Sequence, residues 1–181
     1  MLKLVIPAQE AWNEQKQEFI TTKETHLVLE HSLVSLSKWE SKWKKPFLTD
    51  KQKTFDETID YMRCMTITQN IDPDVYYCVT NENIEAVNKY IEDSMTATTI
   101  TRKQQKGRIN GEQVTSELVY YWMVALNIPF ECQKWHLNRL ITLIEICNIK
   151  SEKPKKMGRK SIYSQNSALN AARRAQLNSR G

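Results

Sequence analysis

Apolar side chains recur every three or four residues along most of this chain, which is the spacing of one face of an α-helix. The longest such stretch is residues 115–149, and Pro129 interrupts it, because proline cannot continue a helix and restricts the residue before it. We therefore predict an αα-hairpin that turns at residues 127–129. Its predicted inner face is Leu118, Tyr121, Trp122, Ala125 and Leu126 in the first helix and Leu137, Leu140, Ile141, Ile144 and Cys147 in the second.

Three shorter helices are predicted upstream of this pair. Serine, threonine, aspartate and asparagine at their starts can cap the first free backbone N–H groups of a helix. The helices begin at Ser32 or Ser35, at Thr49 or Asp50, and at Thr80 or Asn81, and end near residues 45, 66 and 93.

The spacing of apolar residues also predicts which face of each helix is buried. In the first helix, Leu33, Leu36, Trp39, Glu40 and Trp43 share one face. In the second, the predicted inner residues are Phe55, Ile59, Met62 and Met65, and the predicted outer ones are Asp56, Glu57 and Asp60.

A small β element is predicted at the N-terminus. Leu2, Leu4 and Ile6 alternate with other residues up to Pro7, and a second strand at residues 26–30 can pair with this one. Residues 8–20 fit either a helix or an extended arm. The β-branched run at residues 95–101 favours another strand, and the basic residues 102–110 favour an exposed loop.

Length and composition set the fold class. With 181 residues, four glycines and five prolines, the chain favours one mainly α domain of the α+β type. We predict a compact helical domain at residues 1–149, with the small N-terminal β element, and a flexible basic tail at residues 150–181. A weak helix at residues 164–178 is expected to need a partner.

Positive charge is concentrated in that tail. Residues 150–181 contain nine Lys or Arg residues and one acidic residue, a net charge of +8. Because the whole chain carries +5, residues 1–149 carry −3. The two parts are therefore suited to different partners.

Candidate catalytic and metal-binding groups are few. Cys132 and His136 lie four residues apart, which is half of a zinc site or the start of a thiol nucleophile, but reduced buried thiols are the simpler interpretation. Asp72 and Asp74 flank a proline and fit a turn better than a metal site. The run Glu30, His31, Ser32 resembles a triad only on paper, because adjacent side chains point apart.

We accordingly predict no catalytic residue, cofactor or metal, and no enzyme activity. No phosphate-binding Gly-rich motif is present, and no apolar run is long enough for a membrane span, so we expect a cytosolic protein.

Several longer phrases resemble one family. HSLVSLSKWESKW at residues 31–43, KPFL at 45–48 and DYMRCM at 60–65 are similar to the tail assembly chaperone proteins of long-tailed bacteriophages. Similar phrases continue with MTAT at 95–98, SELVYYWM at 116–123 and PFECQKWHLNRL at 129–140, so the resemblance covers nearly the whole chain.

The resemblance implies a non-enzymatic helper made in the cytoplasm of the infected bacterium. Such helpers coat the tape-measure protein, deliver it to the growing tail tube and are typically absent from the finished virion; some also exist as a longer frameshift product. The implied partners are the tape-measure protein, the tail tube protein and further copies of the chain, with no membrane. The predicted partner-binding residues are Leu33, Leu36, Trp39, Trp43, Trp122, Trp135, Arg173 and Arg174.

Two alternatives remain open. The chain would be a structural component of the virion, such as a connector or tail subunit, if its basic C-terminal arm docks on a neighbouring subunit. A nucleic-acid arm is less favoured, and it predicts binding that weakens steeply with salt. For the chaperone, loss of only thermal stability in the Trp39→Ala and Trp43→Ala proteins would identify these tryptophans as core residues.

Overall fold

The computed structural model describes residues 1–13, 17–49, 53–100, 113–151 and 159–177. The chain divides into two compact units, Met1–Asn148 and Ile149–Gly181. The predicted basic loop at residues 102–110 and most of the charged linker lie outside the described residues.

The described residues form four strands and six α-helices. The strands are β1 (Leu2–Ile6), β2 (Gln9–Asn13), β3 (Glu18–Thr22) and β4 (Thr25–Leu29). The helices are α1 (Leu33–Trp43), α2 (Phe55–Met65), α3 (Asn81–Glu92), α4 (Ser116–Ala125), α5 (Leu137–Ser151) and α6 (Arg159–Leu177), with 3-10 helices at Pro73–Cys78 and Phe130–Lys134.

The prediction of a mainly α fold with a small N-terminal β element is confirmed. Strands β1 and β4 pair antiparallel, with Leu4 opposite Leu27 and Leu2 opposite Leu29. Leu4, Leu27 and Leu29 are buried, and Val5 points outward at 45% exposure. The alternation seen in the sequence therefore sets the register, because a slip of one residue would turn the leucines to solvent.

Residues 8–20 were predicted as a helix or an extended arm, and their described part is extended: Gln9–Asn13 and Glu18–Thr22 form a second antiparallel pair of strands. Strands β2 and β3 place Trp12 opposite Phe19, and the two rings meet edge-to-face with centroids 5.0 Å apart. Ile20 and Thr22 face inward, and the Thr22 hydroxyl lies 3.1 Å from Cys78 Sγ. These two strands thus pack their inner face against the first 3-10 helix.

Helices α1 and α2 form the centre of the first unit, and local hydrogen bonds define their starts. Ser32 caps α1: its Oγ accepts the Ser35 N–H at 3.3 Å, and Ser35 Oγ accepts the Ser32 N–H at 2.9 Å. Lys44 ends α1 in the left-handed region, with φ of 54°. Helix α2 starts later than predicted because Thr54 and Glu57 form a second capping box.

The predicted faces of α2 need correction. Phe55 is 62% exposed, whereas Glu57 and Asp60, predicted to face solvent, are buried at 4% and 7% exposure. Both carboxylates pair with lysines at or just after the end of α1: Glu57 Oε1 lies 2.6 Å from Lys45 Nζ, and Asp60 pairs with Lys42. Charged groups can be buried when they are paired and hydrogen-bonded. Here the partners come from a different segment, so the apolar spacing within α2 could not predict them.

The β-branched run after α3 does not form the predicted strand within its described part. At residues 94–100 the structure has neither helix nor strand. Asp93 Oδ1 accepts the Met95 N–H at 2.8 Å, and Thr96 Oγ1 accepts the Thr98 N–H at 3.1 Å. Met95 itself has φ of 48°. Side-chain acceptors that capture nearby backbone N–H groups compete with strand pairing and explain the difference.

The connection between α4 and α5 is longer than a single proline turn. Asn127 adopts φ of 53°, and the Ile128 N–H returns to the Met123 carbonyl at 2.8 Å. Pro129 then precedes the second 3-10 helix, which separates α4 from α5. In α5 the buried residues are Leu137, Leu140 and Ile144, and Ile141 and Cys147 are partly buried, so its predicted face is confirmed.

Helix α6 belongs to the second unit and begins five residues before the predicted helix at residues 164–178. It spans 19 residues. The side chains of residues 166–177 are exposed, among them Leu169 at 50% and Leu177 at 77%. A helix with such exposure derives little stability from packing, so length and propensity must maintain it.

Candidate functional site

The apolar residues of α1 that were predicted to bind a partner lie in the core. Leu33 and Leu36 are fully buried, and Trp39 is 2% exposed. The Trp39 indole N–H donates to the Glu57 carbonyl at 2.9 Å, and its ring packs edge-on against Phe47 at 5.1 Å. In this structure a partner has no access to these three side chains.

Trp43 is the predicted α1 residue that reaches the surface, and it is half-buried. Its indole N–H donates to Asp60 Oδ2 at 2.9 Å, and the ammonium groups of Lys42 and Lys45 lie 5.8 and 5.7 Å from its ring. A groove of about 230 Å³ lies beside it, lined by residues of α1, α2 and the first 3-10 helix. The aromatic residues lining this groove are Trp43, Phe55, Tyr76 and Tyr77.

The remaining predicted residues are spread over the chain. Trp122 and Trp135 are partly buried against the core, and the Arg139 guanidinium covers Trp135 at 4.4 Å from the ring. Arg173 and Arg174 are exposed residues of α6, in the second unit. The eight predicted residues therefore do not form one site within the first unit.

An exposed apolar surface lies on α4 and includes Tyr121 and Ala125, which were predicted to face the core, whereas Trp122 and Leu126 pack against it as predicted. The buried residues of α4 are Ser116, Val119 and Met123. Tyr121 is 64% exposed and Val124 is 60% exposed. We name as the outer α4 face the side chains of Glu117, Leu118, Tyr121, Val124 and Ala125, of which Leu118 is partly buried and the others are exposed.

The reason for the wrong assignment is the composition of α4. Nearly every position in SELVYYWMVA is apolar or aromatic, so several faces satisfy the same helical spacing. The tertiary contact that decides between them is polar: the Ser116 N–H donates to Glu40 Oε2 at 2.7 Å. This bond turns Ser116, and with it Val119 and Met123, towards α1.

Glu40 is the main polar anchor of α4. Its carboxylate is 7% exposed, and Oε1 accepts the Phe47 N–H at 2.8 Å while Oε2 binds Ser116. One turn further along α4 the Tyr120 hydroxyl donates to Gln133 Oε1 at 2.9 Å. The helix is thus held at two points one turn apart, away from its outer face.

The segment that carries the outer α4 face contributes only negative charge of its own. Residues 114–133 contain Glu117 and Glu131 and no lysine or arginine. The pKa of the Glu117 carboxyl is lowered, chiefly because its own backbone N–H donates a hydrogen bond to it, with further help from Thr115 and Ser116. The carboxylate is therefore ionised at neutral pH, beside the exposed Tyr121.

A separate buried cluster joins three parts of the first unit. His31 Nδ1 lies 2.5 Å from the Tyr61 hydroxyl, and the His31 and His136 rings meet edge-to-face at 5.1 Å. The Tyr90 hydroxyl donates to Glu30 Oε1 at 2.8 Å. The Leu137 N–H donates to the His31 carbonyl at 2.7 Å, and the N-terminal ammonium lies 3.0 Å from Glu30 Oε2.

Both histidines of this cluster are neutral near pH 7. Burial, and then the neighbouring His136, lowers the pKa of His31 to about 3. Burial also lowers the pKa of His136. His136 Nδ1 accepts the Asn138 N–H at 3.3 Å, so Nε2 carries the proton and donates to the Tyr90 carbonyl at 3.0 Å. The cluster fixes the junctions between elements, and its side chains are buried.

The suggestive run of Glu30, His31 and Ser32 does not form a catalytic set. Ser32 Oγ lies 2.9 Å from Ser35 Oγ, His31 faces Tyr61, and Glu30 faces Tyr90. The three adjacent side chains thus have three different partners. The Glu30 and Tyr90 pair, 60 residues apart, carried no signal in the sequence.

The predicted metal candidates also have structural partners. Asp72 Oδ1 accepts the Asp74 N–H at 3.0 Å and caps the first 3-10 helix. Cys132 is buried in the second 3-10 helix, and all four cysteines are free thiols. Within the part of the chain that the structure describes, no three His, Cys, Asp or Glu side chains are grouped so that they could hold a metal ion.

A second cavity, of about 280 Å³, lies where the end of α1 meets the start of α2. Trp39 and Pro46 contribute apolar surface to it, and Lys45, Lys53 and Glu57 contribute charge. Burial lowers the pKa of Lys53, and its ammonium lies 4.1 Å from the Phe47 ring. Glu57 is already paired with Lys45, so the main role of this ion pair is to hold the end of α1 against α2.

Comparison of the chain with family models, curated proteins and solved structures finds no match. Among the described helices, none combines the length and the apolar character needed to cross a bilayer.

Proposed function

We propose that this protein is a phage tail assembly chaperone, a non-enzymatic binding protein that holds a tape-measure protein while the tail tube is assembled. Two observations support the proposal. Phrases along nearly the whole chain resemble this family, as in HSLVSLSKWESKW at residues 31–43. The first unit also carries an exposed apolar helix face on a fixed helical support.

The outer α4 face is the observation that carries the proposal. A helix that is apolar on all sides is normally buried on all sides. In α4, Tyr121 and Val124 remain in solvent although they sit one turn apart on an ordered helix. Contiguous exposed apolar surface marks interaction sites, and a protein that shields an aggregation-prone helical partner needs such a surface.

A structural role in the virion is the second candidate. The separate second unit, which contains the exposed helix α6 with Arg173 and Arg174, favours it. In that case the basic arm of one subunit would dock on a neighbouring subunit, and the protein would remain in the particle.

The experiment that separates the two is mass spectrometry of purified virions beside affinity capture from infected cells. A chaperone is captured with the tape-measure protein and is missing from purified virions. A structural subunit is abundant in the virions. Detection of the protein at the copy number of a tail component would therefore refute the chaperone proposal.

Two variants tie the result to the surface. Tyr121→Ala, on the outer α4 face, is expected to reduce the captured tape-measure protein. Phe55→Ala is the matched control, because Phe55 is equally exposed, at 62%, but lies on α2. Equal capture by both variants would remove the outer α4 face from the proposal.

A further inference from the structure

The outer α4 face has a defined chemical character besides its apolar surface. Tyr121, Val124 and Ala125 give it an exposed apolar strip, and Leu118 adds a partly buried edge. Glu117 lies in the first turn of α4 and in the same helical row as Tyr121, four residues on. The strip is therefore bordered by a negative charge at its N-terminal end.

The negative charge of Glu117 has no lysine or arginine partner within its own segment of the chain. Residues 114–133 contain two glutamates and no lysine or arginine. Glu131, in the 3-10 helix that Gln133 ties to Tyr120, is exposed and follows the exposed Phe130. Lys44 is the lysine whose charge helps to lower the pKa of the Glu117 carboxyl.

The dipole of α4 has the same preference at the other end of the strip. The C-terminal end of a helix carries partial negative charge, which favours cations nearby. Helix α4 ends at Ala125, and its last turn contains no basic residue. A ligand lying along the strip thus meets a carboxylate near one end. At the other end the carbonyls of Trp122, Met123 and Val124 already accept backbone N–H groups, so the dipole contributes less than Glu117.

From this combination we propose that the outer α4 face binds an amphipathic helix of a partner protein whose apolar stripe is flanked by lysine or arginine residues. The inference rests on the proposed function and specifies the partner segment: a basic-flanked helix of the tape-measure protein. Apolar contacts with Tyr121 and Val124 supply affinity, and Glu117 supplies selection for basic flanks. An acidic helix with the same stripe is disfavoured because it places like charges together.

The test uses the full chain and two synthetic helical peptides of about twenty residues, long enough to form helix when bound. The peptides share one leucine stripe and differ in their flanking residues, which are lysine in one and glutamate in the other. Fluorescence anisotropy at low salt measures each affinity. We expect the lysine peptide to bind at least about tenfold more tightly than the glutamate peptide.

Variants locate the binding. Tyr121→Ala should weaken the lysine peptide by about tenfold or more, as expected for a central aromatic contact. Glu117→Gln should reduce the preference for lysine over glutamate by several-fold and weaken its salt dependence. Phe55→Ala should leave both affinities unchanged.

Three results would overturn the inference. One is equal affinity for the two peptides, another is a lysine peptide insensitive to Tyr121→Ala, and the third is a wild-type dimer that Tyr121→Ala converts to a monomer in sedimentation. The last result would show that a second copy occupies the face. If infected-cell capture of the tape-measure protein depends on Tyr121 while the peptides show no charge preference, the partner chemistry is wrong and the chaperone proposal stands.

Discussion

Helices α1 and α4 are both rich in aromatic residues, but they use them differently. In α1, Trp39 is closed off by Phe47 and by α2, and its indole N–H is bound to the Glu57 carbonyl. In α4, Tyr121 remains 64% exposed. Aromatic content alone therefore does not mark a binding surface. What distinguishes the two helices is whether acidic and aromatic groups from other elements cover the face.

The largest expected effect is a loss of stability in α1, whose aromatic face is covered by other elements. Trp39→Ala removes a fully packed indole and its hydrogen bond, and should lower the free energy of unfolding by about 3 to 5 kcal/mol. Urea unfolding followed by circular dichroism measures this loss. At temperatures where the variant is folded, capture of the tape-measure protein should persist. A stable Trp39→Ala protein that no longer captures it would return the binding site to α1.

The next prediction concerns the polar anchor between the two helices. Glu40→Gln replaces one acceptor oxygen with an amide NH2, so the Phe47 or Ser116 N–H is left without its partner in a buried site. We expect a loss of about 2 to 3 kcal/mol in unfolding free energy, and Glu117→Gln, on the exposed face, to lose less than about 0.5 kcal/mol. Equal stability of the two variants would contradict the anchoring role.

A third prediction concerns how stability depends on pH through the buried histidine His31. His31 has an ordinary pKa of 6.5 in the unfolded chain and a pKa of about 3 in the folded protein. Unfolded chains therefore bind more protons below pH 6.5, so stability is complete above that pH and falls as the pH decreases towards 3. The expected loss from His31 is about 2 kcal/mol at pH 5, and the lowered pKa of His136 adds to it in the same direction.

Chemical unfolding at pH 7 and pH 5 measures this effect. His31→Asn, which cannot be protonated in this range, is expected to be less stable at pH 7 but to lose less stability on going to pH 5. An identical pH dependence in the two proteins would show that His31 does not titrate as its buried position implies.

The smallest effect on stability is expected for the outer α4 face. Tyr121→Ala should change the free energy of unfolding by less than about 0.5 kcal/mol, because the side chain is mostly in solvent. The same variant should lose most of its binding to the partner. Thermal unfolding beside the capture experiment checks both parts, and a large loss of stability would mean that Tyr121 supports the fold.

Much of the fold could be predicted from local pattern. The register of β1 with β4 follows from leucines at alternating positions, and the capped start of α1 follows from Ser32. The inner face of α5 follows from Leu137, Leu140 and Ile144. In each case, short-range spacing admits one arrangement that buries the apolar side chains.

The candidate site could not be predicted in the same way. In α4, apolar residues lie on every side, so spacing could not choose between Tyr121 and Val119 as the inner residue. The partner-binding residues predicted in α1 have the opposite problem, because Leu33, Leu36 and Trp39 form an apolar face that neighbouring elements cover completely.

Local sequence patterns were sufficient for the helical character of the chain, the pairing of β1 with β4, most of the helix starts and the separation of charge between body and tail. The tertiary structure decided which apolar face is covered and which acids are buried. Burial of Glu40, Glu57 and Asp60 depends on donors from distant segments, such as Ser116, Lys45 and Trp43. Several packings satisfy the same apolar spacing, and hydrogen bonds between remote residues stabilise one of them. These bonds cannot be predicted from local sequence patterns.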